Sequence, residues 1–248
     1  MCGRFTNKGT DTNKLADRFA VELEKALGDR KESAVGRYNV APTQEVLTVR
    51  SSPDPDEARE GEREARLMRW GLIPRWAKDL KVGYTMINAK AERVPESRAY
   101  GPLIGKFRHR CLIVADGFYE WMKAEDRNQP RQPVHFTVDG GEPFAFAGIC
   151  TRKEWEGEEA TDDGWLYSCT LLTTSPNEIV GRVHDRMPVI LDGPQAEAAW
   201  LDPDVSADEA LSLCGPFDPG RMESVLANPK MNKVGKGIEG PELLVAPA

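Results

Sequence analysis

From residue 45 to residue 173 the chain repeats one pattern: a short apolar or alternating run, closed by Gly, Pro or Asp. EVLTVR (45–50), RCLIVA (110–115), VHFTV (134–138), FAFAGI (144–149) and WLYSCTLLT (165–173) are the clearest examples. Runs of this length and composition fold as strands, and together they predict a mostly antiparallel sheet or open barrel. Helical period is confined to short stretches around them. Leu15, Phe19, Leu23 and Leu27 fall at i+4 steps and predict an amphipathic helix over 14–28, capped at Asp11, Thr12 or Asn13 and ended by Gly28. Ser175-Pro176-Asn177-Glu178 has the form of a capping box and predicts a short helix ending near Gly181, with His184 on the loop beyond. Two more short helices are expected at 194–200 and 206–214. The fold class is α+β, with 1–248 forming one domain.

Charge is unevenly distributed. The net charge is −7, and residues 52–66 and 152–163 carry all of it, at −3 and −4. Both read as solvated acidic loop insertions. Residues 67–110 instead hold ten Lys/Arg against three Asp/Glu, interleaved with Trp70, Trp76, Tyr84, Tyr100 and Phe107. Cations for phosphates and aromatic faces for bases suit a groove for single-stranded nucleic acid. An ordinary segment with core aromatics has the same composition.

Five cysteines without a CxxC read as reduced thiols, not a disulfide framework. Three scattered histidines offer no metal-ligand spacing, and no apolar run is long enough to span a membrane. No metal or other cofactor is expected. A cytoplasmic, monomeric protein is the expectation.

The chain opens MCGRF. Removal of Met1 ahead of a small residue leaves Cys2 with an α-amine and a thiol on one residue, both partly nucleophilic near neutral pH. Other residues carry weaker signals. Glu120, in ADGFYEWM, shares a face with Phe118 and Met122 if 118–122 is a strand, and burial there would raise its pKa and suit it to general acid–base work. Taken alone it reads more readily as an edge-strand residue facing solvent. His184 can carry protons or pair with Asp185 at the surface. Asn88 can orient an amine or cap a turn. Arg4, two residues from Cys2, can meet a phosphate.

The local sequences around these residues resemble the SRAP family (SOS response-associated peptidases, or abasic-site processing proteins). MCGRF at 1–5, YNVAPTQ at 38–44, RWGLIPRWAKD at 69–79, INAKAERVPESR at 87–98, RCLIVADGFYEWMK at 110–123, FAFAGI at 144–149 and HDRMPVIL at 184–191 carry the resemblance, in the family's order. It implies that the chain recognises abasic sites in single-stranded DNA and that Cys2, freed of Met1, forms a stable thiazolidine crosslink with the ring-opened sugar. It further implies that Asn88 positions the amine and that Glu120 and His184 handle protons. Arg4, Trp76 and Arg98 match DNA-contacting positions, and Asn39 and Pro42 belong to the NVAPT loop beside the cleft. Lys90 stands where the family usually has Arg, keeping the charge but not the bidentate fork. Shielding of the lesion, strand incision by β-elimination, crosslink reversal, and a place on the nucleoid while bound to DNA all follow as expectations.

Two other classes fit parts of the sequence. An N-terminal-nucleophile amidohydrolase of the class II glutamine amidotransferase type also begins Met-Cys-Gly and needs Met1 removed, but no glutamine-pocket motif is present. A non-catalytic single-strand binding module would need only the basic, aromatic segment.

Overall fold

The computed structural model describes residues 2–51, 62–123, 130–235 and 238–247. Within them lie twelve strands: β1 (Arg4–Asn7), β2 (Arg37–Val40), β3 (Glu45–Ser51), β4 (Arg63–Trp70), β5 (Asn88–Lys90), β6 (Arg110–Ala115), β7 (Gly117–Trp121), β8 (Pro133–Val138), β9 (Phe144–Glu154), β10 (Trp165–Thr174), β11 (Met187–Pro188) and β12 (Met222–Leu226). The expected strands are all present, in an α+β architecture. The barrel goes further than an open one. β3 pairs with β4 and β6, β6 with β9, and β9 with β10, all antiparallel. A short parallel pairing of β10 with β4, Ser168 opposite Arg69, then closes the ring of five. A parallel pair between strands so distant in sequence leaves no local signature, so the closure was invisible in the runs themselves.

A second, antiparallel sheet runs in the order β12-β8-β7-β1-β2. The chain crosses between the sheets at Asp116, where β6 ends and β7 begins. β6 shows why RCLIVA is apolar at every position after Arg110. Leu112 and Val114 pack in a core with the flanking helices, while Cys111, Ile113 and Ala115 pack in a core shared with Phe5, Phe118 and Phe136 of the second sheet. Both of its faces are buried.

The expected helix over 14–28 is broken in two. Thr12–Phe19 is capped by Asp11, whose carboxylate accepts from the Asn13 and Lys14 amides, and Ala20 ends it in the left-handed region at φ 54°. A second helix, Leu23–Leu27, follows. All four leucine and phenylalanine side chains still reach the core, so burial of the stripe is kept while the backbone turns. The capping box at 175–178 does not form. Instead the Asn177 side chain accepts from the Val180 amide at 3.0 Å and starts only a 3-10 turn, Val180–Arg182. Asn177 is nearly buried, which gives its amide an advantage over Ser175. The last two helices form as expected, over Gly193–Leu201 and Ala207–Ser212, the latter with a complete Ser206–Glu209 capping box.

The acidic stretches need one correction. Arg63–Arg66 open β4 and Arg152–Glu154 finish β9, so both insertions begin or end inside the barrel strands. Residues 52–61 lie outside the described residues.

Between β4 and β5 the chain leaves the barrel and returns to it. Gly71, at φ 123°, lies so close to Gly83 that a Cβ on it would stand 2.6 Å from the Gly83 carbonyl oxygen. The Leu72 amide donates to the Met86 carbonyl just beyond. Residues 73–85 therefore form a loop pinched at its base, and β5 continues along β10 where β4 stopped.

Candidate active site

β1 starts at Arg4, two residues after Cys2, and runs antiparallel to β7, with Arg4 opposite Tyr119 and Phe5 opposite Phe118. Extending that register by one residue brings Gly3 opposite Glu120. Cys2 and Glu120 thus sit at the same end of one strand pair. β5 is fixed against β10, with Asn88 opposite Leu171. From there its side-chain amide donates to the Cys2 carbonyl at 2.6 Å. The Asn88 Oδ1 is buried and accepts no hydrogen bond among the described residues, which leaves an acceptor beside the Cys2 backbone. His184 follows the 3-10 turn, its amide bonded to the Val180 carbonyl, and β11 then pairs with β10. Three distant segments converge on the start of β1.

Burial sets the electrostatics. Cys2 is fully buried, and this, with Glu120 nearby, holds its thiol far above the ordinary range. Glu120 is 2% exposed. Burial pushes its carboxyl up to about 7, and the charge of Asp185 adds to the effect. The expected face sharing with Phe118 holds, while Met122 lies past the strand end and is exposed. Burial also lowers the pKa of His184, whose Nδ1 accepts the Arg186 amide at 3.0 Å. A carboxyl titrating near neutrality can pass protons in either direction.

The residues expected to touch DNA divide into two groups. Trp76, on the pinched loop, is 66% exposed and Tyr84 60%; Lys90 and Arg98 are exposed as well, and Pro42 is half-buried. Arg4 and Asn39 are different. Arg4 Nη1 donates to Asn39 Oδ1 at 2.8 Å and to the Met231 carbonyl at 2.9 Å. Asn39 is 2% exposed, and its amide donates to the Lys233 and Ile238 carbonyls. Both side chains are engaged in fastening the segment after β12 to the second sheet. Proximity to Cys2 in sequence gave no hint of that use.

Sequence reasoning assigned no role to Glu92 and Arg186, although both lie in quoted motifs. They form a bidentate pair across 94 positions. Their opposite charges were the available signal, but charge alone does not choose a partner. Among the described residues no cluster of His, Cys, Asp or Glu could hold a metal ion, and no helix is long and apolar enough to cross a membrane. Met1 lies outside the described residues.

A barrel closed by a parallel pair, carrying a buried near-terminal cysteine beside a carboxyl poised near neutrality, defines an α+β protein with a cysteine-centred site. The chain belongs to the SOS response associated peptidase (SRAP) family, which it matches over residues 1–234. It is 40% identical to the abasic site processing protein YoaM of Bacillus subtilis, over 94% of this chain and 95% of that protein. It is 38% identical to the abasic site processing protein YoqW of the same organism, over 94% and 96%. It is also 32% identical to the abasic site processing protein HMCES of Rattus norvegicus, over 84% of this chain and 66% of that one. A crystal structure of a Bacteroides thetaiotaomicron protein shares the fold, with a TM-score of 0.82 over the whole of both chains at 22% identity.

Proposed function

We propose that the protein captures abasic sites in single-stranded DNA as a thiazolidine, through Cys2 once Met1 has been removed. The observation that carries this reading is the convergence on Cys2: Asn88 bonds its carbonyl at 2.6 Å, and the β1–β7 register brings Glu120 beside it. The relatives named as abasic site processing proteins support the substrate class.

The order of events follows from the two nucleophiles. A free α-amine titrates near about 7.7–8.0 and is partly neutral at physiological pH. The buried thiol stays protonated. The amine therefore attacks the sugar aldehyde first, forming a C–N bond and a carbinolamine. Loss of water gives an iminium ion. The sulfur then adds to the same carbon, forming the C–S bond and releasing its proton. One water leaves overall, and closure is fast because sulfur and carbon already belong to one molecule. Glu120, titrating near 7, can protonate the departing hydroxyl and then accept the thiol proton. Asn88 holds the Cys2 backbone. His184 carries protons in sugar opening, β-elimination and crosslink reversal. Trp76, Lys90 and Arg98 receive the strand, with an aromatic face for a base and cations for phosphates.

The test compares three proteins on an abasic oligonucleotide in a denaturing gel, with and without borohydride. The wild type should give a stable adduct whose mass is the sum of the two partners less one water. Cys2→Ala, with Met1 removed, should give an adduct only when borohydride traps the Schiff base. A protein that retains an N-terminal extension should give neither species. A stable adduct from the extended protein would overturn the amine-first mechanism. Complete loss of borohydride trapping with Cys2→Ala would favour an amidohydrolase.

A further inference from the structure

We propose that Glu92 and Arg186 are positioning residues for His184, forming a clamp that fixes which of its ring nitrogens carries the proton. The inference rests on the proton-carrying role given to His184 above.

The clamp begins with the Arg186 guanidinium. Nη1 and Nη2 donate to the two Glu92 carboxylate oxygens at 2.7 and 2.9 Å, and Nη2 also donates to the Thr173 carbonyl at 2.6 Å. The planar fork is thereby tied both to the 3-10 turn that follows β5 and to barrel strand β10. A single exposed ion pair fixes little, but a bidentate pair with a third bond sets orientation as well as distance. The Arg186 side chain is only 12% exposed.

The consequence appears in the backbone. With its side chain held on two elements, Arg186 presents its own amide to His184 Nδ1 at 3.0 Å. A backbone N–H can only donate, so Nδ1 must accept, and the neutral ring carries its proton on Nε2. Two other acceptors compete for Nδ1 if it becomes protonated: the Asp185 carboxylate and the Arg186 carbonyl, each at 3.2 Å. The amino terminus and Lys123 are the cations whose charge reaches the ring, Asp185 is the anion beside it, and Glu120 is the buried carboxyl that senses the same Asp185. Asp185 is 87% exposed and cannot hold the ring against a well-aimed amide. Once the amide swings away, Asp185 can do so, and a Nδ1-protonated or charged ring gains. Glu92 touches none of the reacting atoms; it acts through Arg186.

The experiment substitutes Glu92, which is 52% exposed on its side chain and so removable without loss of the fold. Nitrogen-15 spectra of the His184 imidazole read the tautomer directly. The wild type should show protonated Nε2, and Glu92→Ala should show a mixture of forms with a raised ring pKa. On saturating abasic single strand, the first-order rate of the His184-dependent step should fall about 10-fold in Glu92→Ala, within the about 10²–10⁴-fold that a positioned proton carrier supplies. The same substitution should add nothing in a His184→Ala background. Arg186→Lys keeps the charge but not the fork and should behave like Glu92→Ala. An unchanged His184 spectrum in Glu92→Ala overturns the clamp, and so does a rate loss that persists in full without His184. If His184→Ala itself reacts at the wild-type rate, the proton-carrying role fails, and the spectrum still decides the clamp.

Discussion

The side-chain amide of Asn88 donates a 2.6 Å hydrogen bond to the carbonyl oxygen of Cys2, joining residues 86 positions apart at the start of β1. The bond fixes the backbone from which both nucleophiles project. Asn88→Asp replaces the donor with a carboxylate that repels the carbonyl. Crosslinking should slow by about 10-fold or more, while stability should change by only about 1–3 kcal/mol, the cost of one broken buried hydrogen bond. Stopped-time denaturing gels and thermal melting measure the two effects separately.

Glu120 should trade stability for reactivity. Its folded pKa, about 7, lies above the unfolded value, so ionising it in place costs stability as pH rises from about 4.5 through 7. Glu120→Gln should therefore be more stable than wild type above neutrality, by up to about 3 kcal/mol, and equal to it near pH 4. Its crosslinking should drop about 10²–10⁴-fold and lose the rate inflection near pH 7. Wild-type kinetics in this variant would remove Glu120 from the chemistry.

Arg4 and Trp76 should separate folding from strand binding. Arg4→Ala leaves the Asn39 and Met231 acceptors unpaired and should lower the melting temperature, with a cost of about 1–3 kcal/mol. Trp76→Ala and Arg98→Ala remove exposed groups and should leave the melting temperature unchanged. They should weaken binding to intact and abasic single strands alike, by about 1–3 kcal/mol for the lost stacking platform. Fluorescence anisotropy with a salt titration is the readout, and Arg98→Ala should reduce the salt slope by about one.

Acid should destabilise the protein through His135. Its ring is buried beside Tyr119, with Nε2 3.3 Å from the Thr6 hydroxyl. That hydroxyl donates its one proton to Asp116, so Nε2 must be the protonated nitrogen of a neutral ring. Burial pushes the pKa down to about 3. Stability is complete above the unfolded value of about 6.5 and declines as pH falls toward 3, by about 2–3 kcal/mol at pH 4.5. Glu120 titrates with the opposite sign over part of this window, so the denaturant midpoint is best followed from pH 7.5 to 4.5 in Glu120→Gln.

The strands, the late helices and the apolar stripe of the first helix were legible because each rests on local periodicity, which burial on a sheet face or helix stripe imposes directly on the sequence. So was Cys2, since an amine and a thiol on one residue are a covalent fact. The rest depended on contacts that no local pattern encodes. The parallel β10–β4 pair closes the barrel, and Ala20 takes a left-handed conformation to turn the first helix. Asn177, nearly buried, and not Ser175, takes the hydrogen bond from the amide that opens the turn. Arg4 and Asn39, expected from sequence as ligands for a strand, also bond carbonyls 194 to 227 positions away, because a polar group taken out of water must find its partner wherever the fold offers one. Glu120 shows the division in a single side chain. The sequence left it between an apolar strand face and a solvent-facing edge, and only the packing of β1 against β7 made it dry enough to titrate near 7.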